Sequence, residues 1–196
     1  MKGITESRFF KRGLPVVGLM LLGVLVLGAV NFVDAKATPT SSFGENEVEW
    51  RQIVGIIVPG SIVGTGTGKV TGGGLPWHTS GGHAEVNLTT GAVRFDVDGL
   101  VLAAGNSIGT PDGVTSVKGT LVCDTTGVLN SGNSTLVDTP LVTLSAQGNA
   151  NFRGSLGTLP SACTTQPNIA FLVRTGGGAW LASGMVRVTE TENDVH

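Results

Sequence analysis

Five side chains that can bind metal ions lie within a short stretch of the sequence: His78, His83, Glu85, Asp96 and Asp98. Imidazole nitrogens and carboxylate oxygens are zinc ligands, and carboxylates also bind Ca²⁺. The two histidines flank a Gly-Gly turn and could reach one ion, but a catalytic zinc site takes three protein ligands. The acids do not follow the spacing of the Ca²⁺-binding loop signature. We therefore predict a surface loop and a solvated strand face, with a divalent-cation site as the alternative.

A β-hairpin must position these side chains, since polar and apolar residues alternate on both sides of a turn that contains threonine and glycine. A two-residue threonine turn would place Glu85 opposite Arg94, but β-branched residues disfavour the positive φ angles of such a turn. A longer loop, Thr89–Ala92, gives the left-handed position to Gly91 and places Glu85 opposite Asp96. We predict this second register, which gathers the acidic residues on one exposed face.

Two other segments match functional motifs by letter only. Gly105–Gly109 fits the G-x-S-x-G nucleophile motif, but the turn sequence Pro111-Asp112-Gly113 follows where the motif needs a helix. Gly64–Lys69 has the glycines of a phosphate-binding loop, but valines stand where that motif needs glycine and Ser or Thr. Glycine at every second position instead predicts a strand with one bare face, where another strand can approach closely or the chain can bend.

Short strands dominate the pattern after residue 47, because runs of Val, Ile, Leu, Thr and Phe are interrupted repeatedly by Gly, Asn, Asp or Pro. The sequence therefore predicts an all-β antiparallel domain of eight or nine strands, a two-layer β-sandwich, with a closed β-barrel as the alternative. The predicted strands are 49–57, 62–71, 83–88, 93–103, 114–123, 135–144, 146–155, 168–174 and 180–188.

The N-terminus has the three parts of a secretory signal peptide. Four basic residues within the first twelve positions precede an apolar run, Leu14–Val33, which ends just before Ala35-Lys36-Ala37. The run is also long enough to cross a bilayer as a helix. We predict a cleaved signal at 1–37, a flexible linker at 38–47, the β domain at 48–189 and an acidic disordered tail at 190–196. The alternative is an uncleaved anchor that holds the β domain outside the membrane.

Export determines how charge and cysteine content are interpreted. Removal of residues 1–37 takes away five basic and two acidic residues, so the net charge becomes −5 in place of −2. A surface of this charge offers little to nucleic acid, so no nucleic-acid partner is predicted. Cys123 and Cys163 are the two cysteines of the chain, and an even pair in an exported protein predicts a disulfide.

The shortage of catalytic groups favours a non-enzymatic module, either binding or structural, at the cell surface or in the extracellular space. No cofactor is predicted beyond the divalent cation considered above. A competing interpretation is a small-molecule-binding or enzymatic barrel, with an interior site built from Arg94, Arg153 or Arg174 and an acid. Such an inward arginine is costly unless it is paired. A third possibility is self-association through the edges of Thr- and Val-rich strands that carry few charges.

We expect the mature protein to begin at Thr38 and to weigh two hydrogen atoms less than its reduced sequence, because the signal is cleaved and the cysteines are joined. Intact-mass spectrometry before and after reduction measures both. A mass that includes residues 1–37 would identify the membrane-anchor alternative. A mass that does not change on reduction would mean two separate thiols.

Overall fold

β-Strands form most of the regular structure of the computed structural model, which describes residues 46–164 and 168–189. All of these residues belong to one compact unit. The signal or anchor segment and the acidic tail predicted from the sequence lie outside them. The strands are β1 (Glu47–Gly55), β2 (Ile62–Val63), β3 (Val70–Thr71), β4 (Trp77–His78), β5 (Gly81–Asn87), β6 (Ala92–Asp98), β7 (Val101–Leu102), β8 (Ser116–Cys123), β9 (Thr135–Asp138), β10 (Val142–Thr143), β11 (Ala150–Ser155), β12 (Ile169–Thr175) and β13 (Trp180–Thr189). Two 3-10 helices span Gly66–Gly68 and Ser161–Cys163.

Three predicted strands are each divided in two by residues that interrupt a strand. β2 and β3 replace one of them, because Gly64 and Gly66 adopt left-handed φ angles of 80° and 56° between them. β6 and β7 are separated at Gly99, which has a φ of 61°. Pro140 stands between β9 and β10, and its ring removes a hydrogen-bond donor from the backbone.

One antiparallel sheet contains nine of the described strands, and its order is β10-β8-β12-β13-β1-β5-β6-β11. β9 pairs with the end of β8, at Thr120–Cys123, whereas β10 pairs with its beginning, at Ser116–Val117. The other four strands form two small pairs, β2-β3 and β4-β7. The predicted all-β antiparallel domain of eight or nine strands is confirmed, and its sheet is curled.

Aromatic rings fill the space inside the curl. The ring centroids of Phe95 on β6 and Phe171 on β12 are 5.6 Å apart, although four strand-to-strand steps separate these strands in the sheet. Trp50 on β1 lies 5.7 Å from Phe171. A glycine on β8 makes this packing possible, because a Cβ atom on Gly119 would lie 2.7 Å from the Phe171 ring and 2.9 Å from the Phe95 ring. The interior at this level is a packed hydrophobic core.

The second 3-10 helix is joined covalently to the sheet. Cys123 at the end of β8 forms a disulfide with Cys163, and both residues are fully buried. The predicted pairing is therefore confirmed, and a disulfide is compatible with a location outside the cytoplasm. Over the residues that the structure describes, no helix is long and apolar enough to cross a bilayer.

We expect Gly119→Ala to lower the free energy of unfolding by about 1–3 kcal/mol, because the added methyl group must displace two packed rings. Urea unfolding followed by tryptophan fluorescence measures the loss. Gly74→Ala is the matched control, since nothing lies within 4 Å of a Cβ atom at that position. Equal stabilities of the two variants would contradict the packing described here.

Candidate functional site

The turn between β5 and β6 sets the register of this hairpin and therefore the neighbours of its charged side chains. The side-chain Oδ1 of Asn87 accepts hydrogen bonds from the backbone N–H groups of Thr89 (3.0 Å) and Thr90 (2.8 Å). The backbone carbonyl of Asn87 accepts a hydrogen bond from Gly91 N–H (2.9 Å), and Gly91 has a φ of 72°. The loop is thus Leu88–Gly91, and glycine occupies its left-handed position.

The register predicted for the hairpin is wrong by two residues. Glu85 lies opposite Arg94 and His83 lies opposite Asp96, whereas the sequence argument placed Glu85 opposite Asp96. The predicted four-residue loop begins at Thr89, whereas the observed loop begins at Leu88. The observed loop still gives glycine the left-handed position. Because it starts one residue earlier, it also places unlike charges opposite each other.

One ion pair and one histidine–carboxylate contact result from this register. The Glu85 carboxylate accepts hydrogen bonds from Nε and Nη2 of Arg94, and Nδ1 of His83 contacts the Asp96 carboxylate. The Arg94 side chain is 41% exposed and that of Glu85 is 16% exposed. Three of the five candidate metal ligands therefore contact a side chain of the opposite strand of the hairpin.

The other two candidate metal ligands lie apart from these pairs. His78 is exposed on β4, opposite Val101, while the neighbouring Trp77 is buried. Asp98 is exposed at the far end of the hairpin, opposite Gly81. In the part of the chain that the structure describes, no three His, Cys, Asp or Glu side chains form a group that could hold a metal ion.

A row of four charged residues crosses the outer side of four adjacent strands. Glu49 on β1 lies opposite Glu85, Glu85 opposite Arg94, and Arg94 opposite Arg153 on β11. Alternate residues of these strands point into the core, so the row lies on the solvent side. We call this side the polar face, and its residues are Glu49, His83, Glu85, Arg94, Asp96, Asn151 and Arg153.

Arg153 differs from the rest of the row. Arg51 Nε contacts Glu49 (3.4 Å), and Arg94 contacts Glu85, so both acids have a basic partner. Arg153 makes no ion pair or side-chain hydrogen bond with any described residue, and it stands directly opposite another arginine. Among the described residues, the polar face therefore carries one cation without an acidic partner, on β11 at one end of the strand order.

Two clefts open beside the polar face. One has a volume of about 310 Å³ and is lined by Glu47, Glu85, Ala92, Val93, Arg94, Arg153 and Gly154. The other, of about 430 Å³, lies beyond the last residue pair that joins β1 to β5, and Arg51, His78 and Ser80 are among its lining residues. We call them the arginine cleft and the His78 cleft.

The third candidate arginine, Arg174, belongs to a separate ion network. It is only 9% exposed, and its Nη1 contacts Asp138 Oδ1 (3.1 Å) while its Nε donates to the Gly178 carbonyl (2.9 Å). Asp138 also contacts Lys118 and accepts a hydrogen bond from the Thr120 hydroxyl (2.7 Å). One carboxylate thereby links β8, β9 and β12.

This network holds Asp138 in its ionised form. Burial raises the pKa of Asp138, but hydrogen bonds from Lys118 and Thr120, together with the charges on Arg174 and Lys118, outweigh that effect. The resulting pKa lies below the ordinary value of 3.8. Removal of the carboxylate would leave a buried guanidinium without its counter-charge, so this network stabilises the fold.

The glycine-rich segment Gly64–Lys69 is a tight loop and not the predicted strand. Asn133 Oδ1 accepts a hydrogen bond from Thr67 N–H (2.9 Å), and a Cβ atom on Gly68 would lie 1.9 Å from the Ser134 carbonyl oxygen. The glycines do permit a close approach, as expected, but the approaching segment is the loop before β9. Thr65 and Thr67 also make hydrogen bonds to this loop, through Ser134 and Asn133.

The segment Gly105–Gly109 forms turns between β7 and β8. Thr110 N–H donates to the Ser107 carbonyl (3.1 Å), and Gly109 N–H donates to that of Leu102 (2.9 Å). No helix follows Ser107 in this described loop, so the strand-to-helix turn of a nucleophile motif is not formed.

Sequence reasoning did not identify the two features that depend on distant strand pairing. Arg153 lies next to Arg94 because β11 pairs with β6. Asp138 reaches Arg174 because β9 and β12 pair with opposite edges of the same strand, β8. The alternating pattern of each strand gave the face of each residue but not its neighbour. Comparison of the chain with protein-family models, with curated proteins and with solved structures found no match.

We expect Asp138→Asn to lower the free energy of unfolding at pH 7 by about 1–3 kcal/mol, because Arg174 loses its counter-charge. A carboxylate with a lowered folded pKa contributes stability above its unfolded pKa and loses it as pH falls through the folded value. The difference between variant and wild type should therefore shrink below pH 3.8. Urea unfolding from pH 7 downwards measures it. Asp112→Asn, at an exposed turn, is the control, and an identical loss there would contradict the assignment.

Proposed function

We propose that this protein acts outside the cytoplasm as a non-enzymatic binding module and that the polar face is its binding surface. The observation that carries this proposal is the charged row across β1, β5, β6 and β11, with the arginine cleft beside Arg94 and Arg153. Charged groups on one continuous, open sheet face can recognise a partner through complementary charge.

The packing of the interior supports a surface function. We propose that the curled sheet acts as a two-layer sandwich, in which the Phe95 and Phe171 rings occupy the space between the layers. The missing side chain of Gly119 is needed for these rings to fit, so the same space has little room for a ligand. Arg94 lies on the solvent side and is paired with Glu85, and Arg174 is held by Asp138, so neither offers an unpaired group to an interior site.

The charged residues of the polar face differ in what a ligand would have to displace. Exposed salt bridges contribute about 0–1 kcal/mol, because water screens them and long side chains lose freedom in them. Glu85 is only 16% exposed and holds Arg94 through two nitrogens, whereas Arg153 makes no ion pair with a described residue, so a ligand can bind Arg153 without breaking an internal contact. This distinguishes the polar face from the Asp138 network, whose arginine is nearly buried.

The proposed location rests on the signal-like N-terminus and on the disulfide. The basic segment, the apolar run and Ala35-Lys36-Ala37 support export with cleavage. The Cys123–Cys163 disulfide is compatible with an oxidising compartment. In the alternative in which Leu14–Val33 is kept, the same domain remains attached to the outer side of the membrane.

We expect a double charge swap, Glu85→Arg with Arg94→Glu, to abolish binding while the fold is retained. The swap keeps unlike charges opposite each other but reverses the pattern that a partner meets. Purified wild type and variant are incubated with washed cells of the source organism, and the retained fraction is measured at low and physiological salt. Wild type should be retained, and the double variant should lose at least tenfold in retention.

Lys69→Glu is the matched control, because Lys69 is exposed and does not belong to the polar face. Urea unfolding of all proteins checks that the swap preserves stability. Full retention of the double variant would contradict the assignment of the binding surface. Absence of wild-type retention would contradict a role at the cell surface.

A further inference from the structure

Two arginines lie directly opposite each other on neighbouring strands of the polar face. Arg153 on β11 faces Arg94 on β6, and like charges in such positions destabilise an antiparallel pair. Glu85 neutralises Arg94, but Arg153 has no acidic partner among the described residues. An anion bound between the two guanidinium groups would supply the missing charge.

We infer that the arginine cleft binds the carboxylate of an acidic sugar through Arg94 and Arg153. The inference rests on the proposed binding function and names its ligand class. The guanidinium group of Arg153 is planar and can donate two parallel hydrogen bonds to a carboxylate, and Nη1 of Arg94, which Glu85 does not contact, can donate another. The cleft, of about 310 Å³, is large enough for a single sugar ring.

The lining of the cleft selects a singly charged anion. Glu47 and Glu85 line the same cleft and offset its two arginines, so the lining has no net positive charge to compensate for the greater desolvation cost of a doubly charged phosphate. The balance of two basic and two acidic residues therefore favours a monoanion. A weakly charged ligand is also consistent with the excess of acidic residues in the chain after residue 37.

The surroundings of the arginines fit a ligand that carries hydroxyl groups. Ala92, Val93 and Gly154 contribute uncharged surface to the cleft. Asn151 is exposed two residues before Arg153, so both side chains lie on the same side of β11. An amide can both donate to and accept from a hydroxyl, so Asn151 can contact a hydroxyl of a ligand that extends along β11 beyond the cleft.

A positive charge on an edge strand has another function in many sheets, since it prevents pairing with a second chain. β11 lies at one end of the strand order, so Arg153 could serve in this way. The two roles differ in a measurable property. Loss of edge protection produces oligomers, whereas loss of a carboxylate ligand reduces binding by a chain that remains monomeric.

The experiment is an NMR titration of the isotope-labelled mature chain with glucuronate, glucose, N-acetylaspartate amide and inorganic phosphate. Glucuronate and glucose share a sugar ring but differ in charge, and the aspartate derivative supplies a carboxylate on a peptide. We expect glucuronate to shift the Arg94 and Arg153 side-chain Nε–H signals and the Gly154 amide in a saturable way. Glucose and phosphate should bind at least tenfold more weakly, and the aspartate derivative at least threefold more weakly.

Arg153→Gln should weaken glucuronate binding at least tenfold, and Arg153→Lys should give an intermediate affinity because charge is kept without the planar fork. Arg51→Gln is the matched control, since it removes one exposed arginine outside the arginine cleft. Sedimentation of each variant across concentration checks the oligomeric state.

Unchanged binding by Arg153→Gln, equal losses with Arg51→Gln, or equal affinities for glucuronate and glucose would each overturn the inference. Tighter binding of the aspartate derivative than of glucuronate would overturn the assignment of a sugar ligand and indicate a peptide carboxylate. Oligomers of Arg153→Gln with unchanged glucuronate affinity would assign Arg153 to edge protection. All these results leave the cell-retention test of the polar face intact, so failure of this inference is distinguishable from failure of the proposed function.

Discussion

The contact between Phe95 and Phe171 is the constraint on which the arrangement of this protein depends. These rings come from strands that are four steps apart in the sheet, so they can meet only if the sheet curls. Gly119 leaves room for both rings, and Trp50 completes the packing from the central strand. Because aromatic burial fills the space inside the curl, charged residues must either lie outside or be paired where they are buried.

The charged residues form two groups, one paired in a buried site and the other on the solvent side of the sheet. Arg174 is nearly buried and is held by Asp138, which also contacts Lys118 and Thr120. Glu85, Arg94 and Arg153 lie on the solvent side of the other strands, and Arg153 has no ion pair with a described residue that a ligand would have to break. The first group therefore explains stability, whereas the second group is available for recognition. The function proposed here follows from this division.

The sequence was sufficient for features that depend on local pattern. Alternation of polar and apolar residues identified the hairpin strands and their buried faces, and two cysteines in a chain with a signal-like N-terminus predicted the disulfide. Turn chemistry was harder, since Gly91 fits more than one loop and the chosen loop was shifted by one position at its start. That small difference changed the register by two residues and replaced an acidic cluster with an ion pair and a histidine–carboxylate contact.

Distant pairing could not be inferred from the sequence. Nothing in the pattern around Arg153 shows that β11 lies beside β6, because about fifty residues separate these strands along the chain and the loops between them fix no register. For the same reason, the contact between Asp138 and Arg174 could not be inferred from the sequence. The candidate site therefore became visible only when neighbouring strands were known.

The most direct test of a binding surface on the polar face is arginine footprinting with phenylglyoxal, followed by mass spectrometry, on the free chain and on the chain retained by washed cells. The account predicts that Arg94 and Arg153 react in the free chain and are protected in the retained chain, while Arg174 reacts in neither. Equal reactivity of Arg153 in both states, with protection elsewhere on the molecule, would contradict it.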